Sequence, residues 1–312
     1  MARYLVTGGA GFIGSNISEA LVKRGENVVV LDDLSTGHER NIDHLRGRLT
    51  FIKGDIRDAE TVRGALAGVD YVLHEAALAS VPRSIEDPVL VTDVNVRGTL
   101  VMLEEARRAG VKRFVYAASS SAYGDTETLP KIESMTPKPL SPYAASKLTG
   151  EYYCAVYSRV YGLSTISLRY FNIYGPRQDP KSQYAAVIPI FVTHLLAGSR
   201  PTVFGDGEQS RDFTFIENVV EANIRASRCE RANGETVNIG CGAHYTLNEL
   251  FAEMQGIIGG ADPPHYAPAR AGDVKHSHAD ISAAHALFGY SVLVPFKEGL
   301  RRTIQWYRGE RG

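Results

Sequence analysis

Tyr143 and Lys147 lie four positions apart in the stretch Ser141-Pro142-Tyr143-Ala144-Ala145-Ser146-Lys147. On a helix that spacing puts both side chains on one face, about one turn apart. An ammonium beside a phenol favours the phenolate and draws its pKa down from about 10. A tyrosinate is a usable general base near neutral pH. The helix itself is well signalled. Ser141 can cap its first turn, and Pro142 suits the first helical position, where no N–H is needed. Taken alone, the pair is equally an ordinary contact on a helix surface. What surrounds it decides.

A glycine-rich segment opens the chain. The apolar run Arg3 to Val6 leads into Thr7-Gly8-Gly9-Ala10-Gly11-Phe12-Ile13-Gly14, followed by a helical pattern through Ile17, Ala20, Leu21 and Val22. A second strand, Asn27 to Leu31, ends on Asp32-Asp33. Gly8, Gly11 and Gly14 are spaced for a tight turn, for backbone approach to a pyrophosphate, and for close packing of helix on strand. The helix N-terminus offers free N–H groups to phosphate. Asp32 can accept both adenosine ribose hydroxyls and repels a 2′-phosphate, which predicts NAD rather than NADP.

Strand and helix patterns continue to alternate through strands at Leu49 to Lys53, Tyr71 to His74, Arg113 to Ala117 and Ser164 to Leu168. This predicts an α/β fold: a Rossmann-type doubly wound parallel sheet with helices on both faces. Ligands of such sheets bind beyond the carboxyl ends of the strands. The glycine loop, Asp32, the small residues Ala76, Ala77 and Ala79, and the cluster Ser119-Ser120-Ser121 all fall at such ends. Their convergence brings Ser119 and Tyr143 over one cofactor. After Arg169 the pattern loosens. The expected organisation is a dinucleotide-binding domain over 1–170, with returns near 206–240, and a smaller interleaved C-terminal α/β substrate lobe over 171–312. Arg211 and Arg270 there could hold phosphates by fork-like donation.

Composition narrows the options. The 312 residues are 44% hydrophobic and 22% charged with net charge −1, an ordinary globular balance that points to neither nucleic acid nor a membrane surface. No apolar run is long enough to predict a membrane span. Cys154, Cys229 and Cys241 are scattered, with no C-x-x-C, so neither a zinc site nor a disulfide framework is expected. With no leader-like pattern before the strand at Tyr4, the expectation is a cytoplasmic protein.

With these residues in place, the sequence resembles the extended short-chain dehydrogenase/reductases. The resemblance rests on TGGAGFIG, Asp32, GDIRD, HEAA, the serines before Tyr123-Gly124, Y-x-x-x-K and RYFNIYGP, and it covers nearly the whole chain. It is strongest to the nucleotide-sugar 4-epimerases. Within them, Ala77 to Pro88 and Gly175 to Pro189 resemble the enzymes acting on UDP-N-acetylglucosamine. The resemblance implies NAD as cofactor, Tyr143 as acid/base, Lys147 lowering its pKa and holding the nicotinamide ribose, and Ser119 at the sugar's 4-oxygen, with Ser120 and Ser121 as neighbouring candidates. It places Phe12 and Ile13 on the pyrophosphate. Asp33, Ser35, Thr36 and Gly37 extend the cofactor side beyond Asp32. Asp55 and Ile56 flank the adenine, Asn95 supports the cofactor-side helix, and Tyr170 lies near the nicotinamide. On the substrate side it implies Ala79, Val81, Asn172, Val187, Arg211, Arg270 and Asp273.

Two departures sharpen the expectation. Dehydratases of this family carry Asp-Glu directly after the catalytic Ser or Thr, and UDP-glucuronate decarboxylases carry Glu two residues after it. Here those positions are Ser120 and Ser121. Enzymes restricted to plain UDP-hexoses often carry a large Tyr where this chain has Ser277. A small residue leaves volume for an acetamido group without excluding the plain sugar. The expected activity is therefore UDP-N-acetylglucosamine 4-epimerisation. The alternatives are UDP-glucose and then UDP-glucuronate 4-epimerisation, or a non-catalytic NAD-binding regulator. The resemblance also implies a homodimer, paired through helices near Pro88 to Ala109 and Pro142 to Tyr161.

Overall fold

The computed structural model describes residues 1–180, 186–259, 262–269 and 275–309. The first half runs β1 (Arg3–Thr7), α1 (Phe12–Lys23), β2 (Asn27–Asp32), β3 (Thr50–Lys53), α2 (Ala59–Ala65), β4 (Tyr71–His74), α3 (Val81–Glu86), α4 (Pro88–Thr92), α5 (Thr99–Arg108), β5 (Arg113–Ser119), α6 (Pro142–Tyr161) and β6 (Thr165–Tyr170). The second half runs β7 (Ile173–Tyr174), α7 (Val187–Leu196), β8 (Thr202–Phe204), β9 (Ser210–Arg211), β10 (Thr214–Phe215), α8 (Ile216–Ser227), β11 (Glu235–Ile239), β12 (Tyr245–Thr246), α9 (Leu247–Ile258), β13 (His265–Ala267), α10 (Ser282–Phe288) and α11 (Phe296–Gly309).

Seven strands form one parallel sheet in the order β11-β6-β5-β4-β1-β2-β3. A parallel sheet is covered on both faces, so its strands are apolar on both. Side chains alternate across it. Tyr4, Val6, Val28, Val30, Leu73, Val115 and Ile166 face the layer containing Ile17 and Leu21 of α1 and Val219 and Ala222 of α8. Leu5, Val29, Leu31, Val72, Phe114 and Tyr116 face Val62, Met102, Leu103, Ala106 and Cys154 of α2, α5 and α6. The edge strand β11 and the helix α8 come from residues beyond 206, so the late chain closes a sheet begun by the early one. The rest of the second half is built on two-stranded pairs, β7 with β10, β9 with β12 and β8 with β13.

Two short helices exceed the sequence expectation. α3 is capped by Ser80, whose side chain accepts from Arg83 N, and α4 by Asp87, which accepts from Leu90 N with Pro88 at the first position. From α4 the helix runs through one wider π-type turn, Asp93–Gly98, into α5. Among the described residues, no helix is long and apolar enough to cross a membrane.

Candidate active site

The turn between β1 and α1 is built for close approach. Gly8 has φ +65°, and a Cβ there would lie 2.8 Å from Ala76 N. A Cβ on Gly14 would lie 2.3 Å from Gly8 O, so the first turn of α1 rests directly on the β1 turn. No side chain caps α1 and its first turn carries no acid, leaving N–H groups and the positive dipole end for an anion. Asp32 closes the neighbouring strand. Its Oδ2 accepts from Ala10 N at 2.9 Å and its Oδ1 from Leu34 N at 2.8 Å. Burial pushes its pKa up against those bonds.

A cleft of about 220 Å³ gathers the expected cofactor residues. Gly8, Gly11, Phe12, Ile13, Gly14, Asp32, Asp33, Ser35, Thr36, Asp55, Ile56, Ala76 and Ala77 all line it, as does Ala79, which the resemblance put on the substrate side. A Cβ on Gly37 would come within 2.9 Å of both Asp32 carboxylate oxygens. Asp55 is held below the usual carboxylate range by Arg57. Asn95 is buried in the π-type turn. Its Oδ1 accepts from Leu78 N at 2.8 Å, and its Nδ2 donates to Ser146 Oγ at 3.0 Å, tying the loop after β4 to α6. Tyr170 is buried at the end of β6, with its hydroxyl donating to Glu75 and accepting from Asn223.

The reacting groups meet at the end of β5. Ser141 Oγ accepts from Ala144 N at 3.1 Å and Pro142 opens α6, as the sequence predicts. This sets Tyr143 beside Ser119. Ser121 donates its hydroxyl to Ser119 Oγ at 2.9 Å, and Ser120 opens the turn Ser120–Tyr123. Lys147 is buried. Its Nζ donates to Ala117 O at 2.9 Å and sits 5.2 Å above the Tyr116 ring. Gly150 lets that ring in, since a Cβ there would lie 2.2 Å from the Tyr116 hydroxyl. One expectation is corrected here. The spacing predicted a phenol pKa lowered by Lys147, but burial raises the Tyr143 pKa, and the contact opposing that rise is Ser119. The ammonium is directed at a strand carbonyl, and burial lowers its own pKa.

A second cavity, of about 430 Å³, lies over the C-terminal half. Asn172, Val187 and Arg211 line it with Phe204, Gln209 and Leu247. Asn172, at φ +27°, donates through Nδ2 to Ser277 Oγ at 2.9 Å. Ser277 is buried behind it and is not on the cavity wall. Val81 is exposed at the start of α3. Arg270 and Asp273 lie outside the described residues. Two further residues were given no role by the sequence. Asp212, beside Arg211, accepts from Cys241 N, Gly242 N and Ala279 N, and burial pushes its pKa up to about 6. Glu75, inside the HEAA stretch, lines the dinucleotide cleft. No cluster of metal-binding side chains occurs among the described residues.

These residues fit a dinucleotide. Gly8 and Gly14 let backbone pack at the turn where a Cβ would collide, Asp32 stands at the end of the second strand, and Glu75 Oε2 is buried in the structure with no partner. Comparison with known proteins agrees. Residues 4–240 match the model of the NAD dependent epimerase/dehydratase family. The chain is 39% identical over 313 residues to a UDP-glucose 4-epimerase of Mycolicibacterium smegmatis, covering 99% of each. Among solved structures, it superposes with TM-score 0.93 and 37% identity on a UDP-N-acetylglucosamine 4-epimerase from Methanobrevibacter ruminantium M1 in complex with UDP-N-acetylmuramic acid, covering 99% of both chains. It superposes with TM-score 0.91 and 31% identity on a mutant UDP-glucuronic acid 4-epimerase from Bacillus cereus bound to UDP-4-deoxy-4-fluoro-glucuronic acid and NAD, again over 99% of both.

Proposed function

The chain belongs to the NAD-dependent epimerase/dehydratase family, and within its UDP-sugar 4-epimerases we propose that it interconverts UDP-N-acetylglucosamine and UDP-N-acetylgalactosamine. The observation that carries 4-epimerisation is that Tyr143 and Ser119 are neighbours at the end of β5, with Ser120 and Ser121 where dehydration or decarboxylation would need a carboxylate. Tyr143 takes the proton of the sugar's 4-hydroxyl and later returns it. Ser119 holds the 4-oxygen. When bound, NAD would supply reversible hydride acceptance at C4, so that a 4-keto sugar could be reduced on either face. Lys147, pinned at Ala117 O, holds the nicotinamide ribose, and Asn95 and Ser141 fix the helix that presents both groups. Residues 1–170, with the returns at α8 and β11, serve the cofactor. Residues 171–312 serve the substrate, with Arg211 and Asn172 anchoring UDP while the sugar turns over.

The acetamido preference is supported by the resemblance of Ala77 to Pro88 and Gly175 to Pro189, and the small Ser277 permits it. A bulky side chain there would press on Asn172, which lines the cavity. The test is NMR of the purified protein incubated separately with UDP-N-acetylglucosamine and UDP-glucose, with no NAD added. Faster conversion of the acetylated sugar is the expected result. Equal rates make Ser277 permissive only, and conversion of UDP-glucose alone overturns the preference. The second reading, UDP-glucose 4-epimerase, draws on the Mycolicibacterium smegmatis relative.

The assembly proposed is a homodimer. Tyr152, Val156 and Val160 repeat every four residues on α6 and are exposed, and Ile85 and Val89 are exposed on the adjoining α3 and α4. A ridge of that kind is the face an isologous helix pairing would cover. Light scattering should give the mass of two chains for the native protein. Val156→Glu should weaken the dimer about 100-fold and give the mass of one. A native monomer ends this reading. The three cysteines are free, which suits the reducing cytoplasm in which we place the enzyme.

A further inference from the structure

Glu75 directly follows β4 and lines the dinucleotide cleft, close enough to Lys147 for their charges to interact. Its Oε1 accepts the Tyr170 hydroxyl at 2.8 Å, and that hydroxyl accepts from Asn223 Nδ2 at 2.7 Å. Its Oε2 is buried and has no partner. The neighbouring charge is the Lys147 ammonium, whose own hydrogen bond goes to Ala117 O. His74, the preceding residue, supplies no cation. It is fully buried, its ring is bonded to Thr7 and Thr99, and burial lowers its pKa to about 3. The carboxyl is thus held in place by one oxygen, while the other is left without a donor, and burial pushes its pKa up to about 7 against the Tyr170 bond and the Lys147 charge. Buried acceptors are rarely left so unless something else meets them.

The geometry points to Glu75 as a positioning residue for the nicotinamide: a carboxyl whose ionised form favours the oxidised, cationic form of bound NAD over the reduced, neutral form. A charge within a few ångströms stabilises an opposite charge and is indifferent to a neutral group. The consequence suits an enzyme that must return each hydride it takes. The resting form stays oxidised, and the reduced form is biased towards giving the hydride back. The inference rests on NAD as cofactor and is independent of which sugar reacts.

The test uses purified holoenzyme at about pH 8.5, where the Glu75 carboxyl is ionised, and Glu75→Gln, which keeps the shape and an oxygen for Tyr170 but removes the charge. Bound NAD and NADH are equilibrated with redox couples of known potential and read by the NADH absorbance. The dissociation constants of both forms are measured by calorimetry. E75Q should lose about tenfold of the preference for the oxidised form, a rise of about 30 mV in the two-electron potential. A merely structural role would weaken both forms together. A ratio unchanged within twofold overturns the inference. Should E75Q not fold, Tyr170→Phe reads the same ratio. Without the phenol donor the carboxyl protonates more readily, and the preference should fall in the same direction by about threefold. No fall in that variant is the overturning result.

Discussion

Tyr143→Phe should leave a folded protein that still carries NAD and turns over its UDP-sugar about 10³-fold more slowly. The ring is kept, so the packing of the first turn of α6 is kept. The Ser141 cap and the Asn95–Ser146 bond do not involve the phenol oxygen. What disappears is the hydroxyl beside Ser119. Ser119 keeps its bond from Ser121, so the 4-oxygen still finds a donor, but the proton has no acceptor. Burial raises the phenol pKa, so the base strength needed at neutral pH must come from the loaded site. Initial rates by NMR, beside the bound NAD per chain, separate chemistry from cofactor loss. A rate within tenfold of native, with NAD retained, would remove Tyr143 from the mechanism.

What the sequence disclosed, it disclosed through local rules. The glycine spacing reports steric facts about three backbone positions, and Gly8 and Gly14 occupy sites where a Cβ collides with backbone. Ser141-Pro142 is a cap written in two residues, and the structure uses both. Apolar strands between helical patterns sufficed for the parallel sheet. The pKa of Tyr143 was not legible. It depends on where the Lys147 ammonium is spent, and the strand carbonyl that takes it lies thirty positions away. Ser277 was legible as small, but its burial behind Asn172 was not. That contact spans the lobe, and nothing local specifies it. α3 and α4 did carry signals, in Ser80 and Asp87-Pro88, yet each is too short to show periodicity. Glu75 reads as one acid after a strand. Its orphan oxygen follows from Tyr170, which reaches it from another strand.

Arg169→Leu should cost about 3–5 kcal/mol of stability, a fall in Tm of order 10 °C. Arg169 on β6 forks onto Glu151 on α6, with Nε–Oε1 3.0 Å and Nη2–Oε2 2.7 Å, and both side chains are about 95% or more buried. Its guanidinium also lies 4.7 Å from the centre of the Tyr123 ring, whose hydroxyl donates to Asn238 on β11. The pair thus clamps three pieces that carry the site: the helix of Tyr143 and Lys147, the strand ending at Tyr170, and the turn that follows Ser119. Removing only the arginine leaves a carboxylate in the interior without its counter-charge. Burial already pushes the Glu151 pKa up, and losing Arg169 pushes it further. A carboxyl with a raised folded pKa favours the fold below its unfolded pKa and loses that advantage as pH rises through the folded value. The variant should therefore be closer to native at pH 5 than at pH 8. Glu151→Leu combined with Arg169→Leu should recover most of the loss, since a packed apolar pair tolerates burial that a lone charge does not. Melting curves of both variants at the two pH values decide the matter. If the double variant is as unstable as the single and neither responds to pH, the loss lies in the packing of Tyr123 and not in the buried charge.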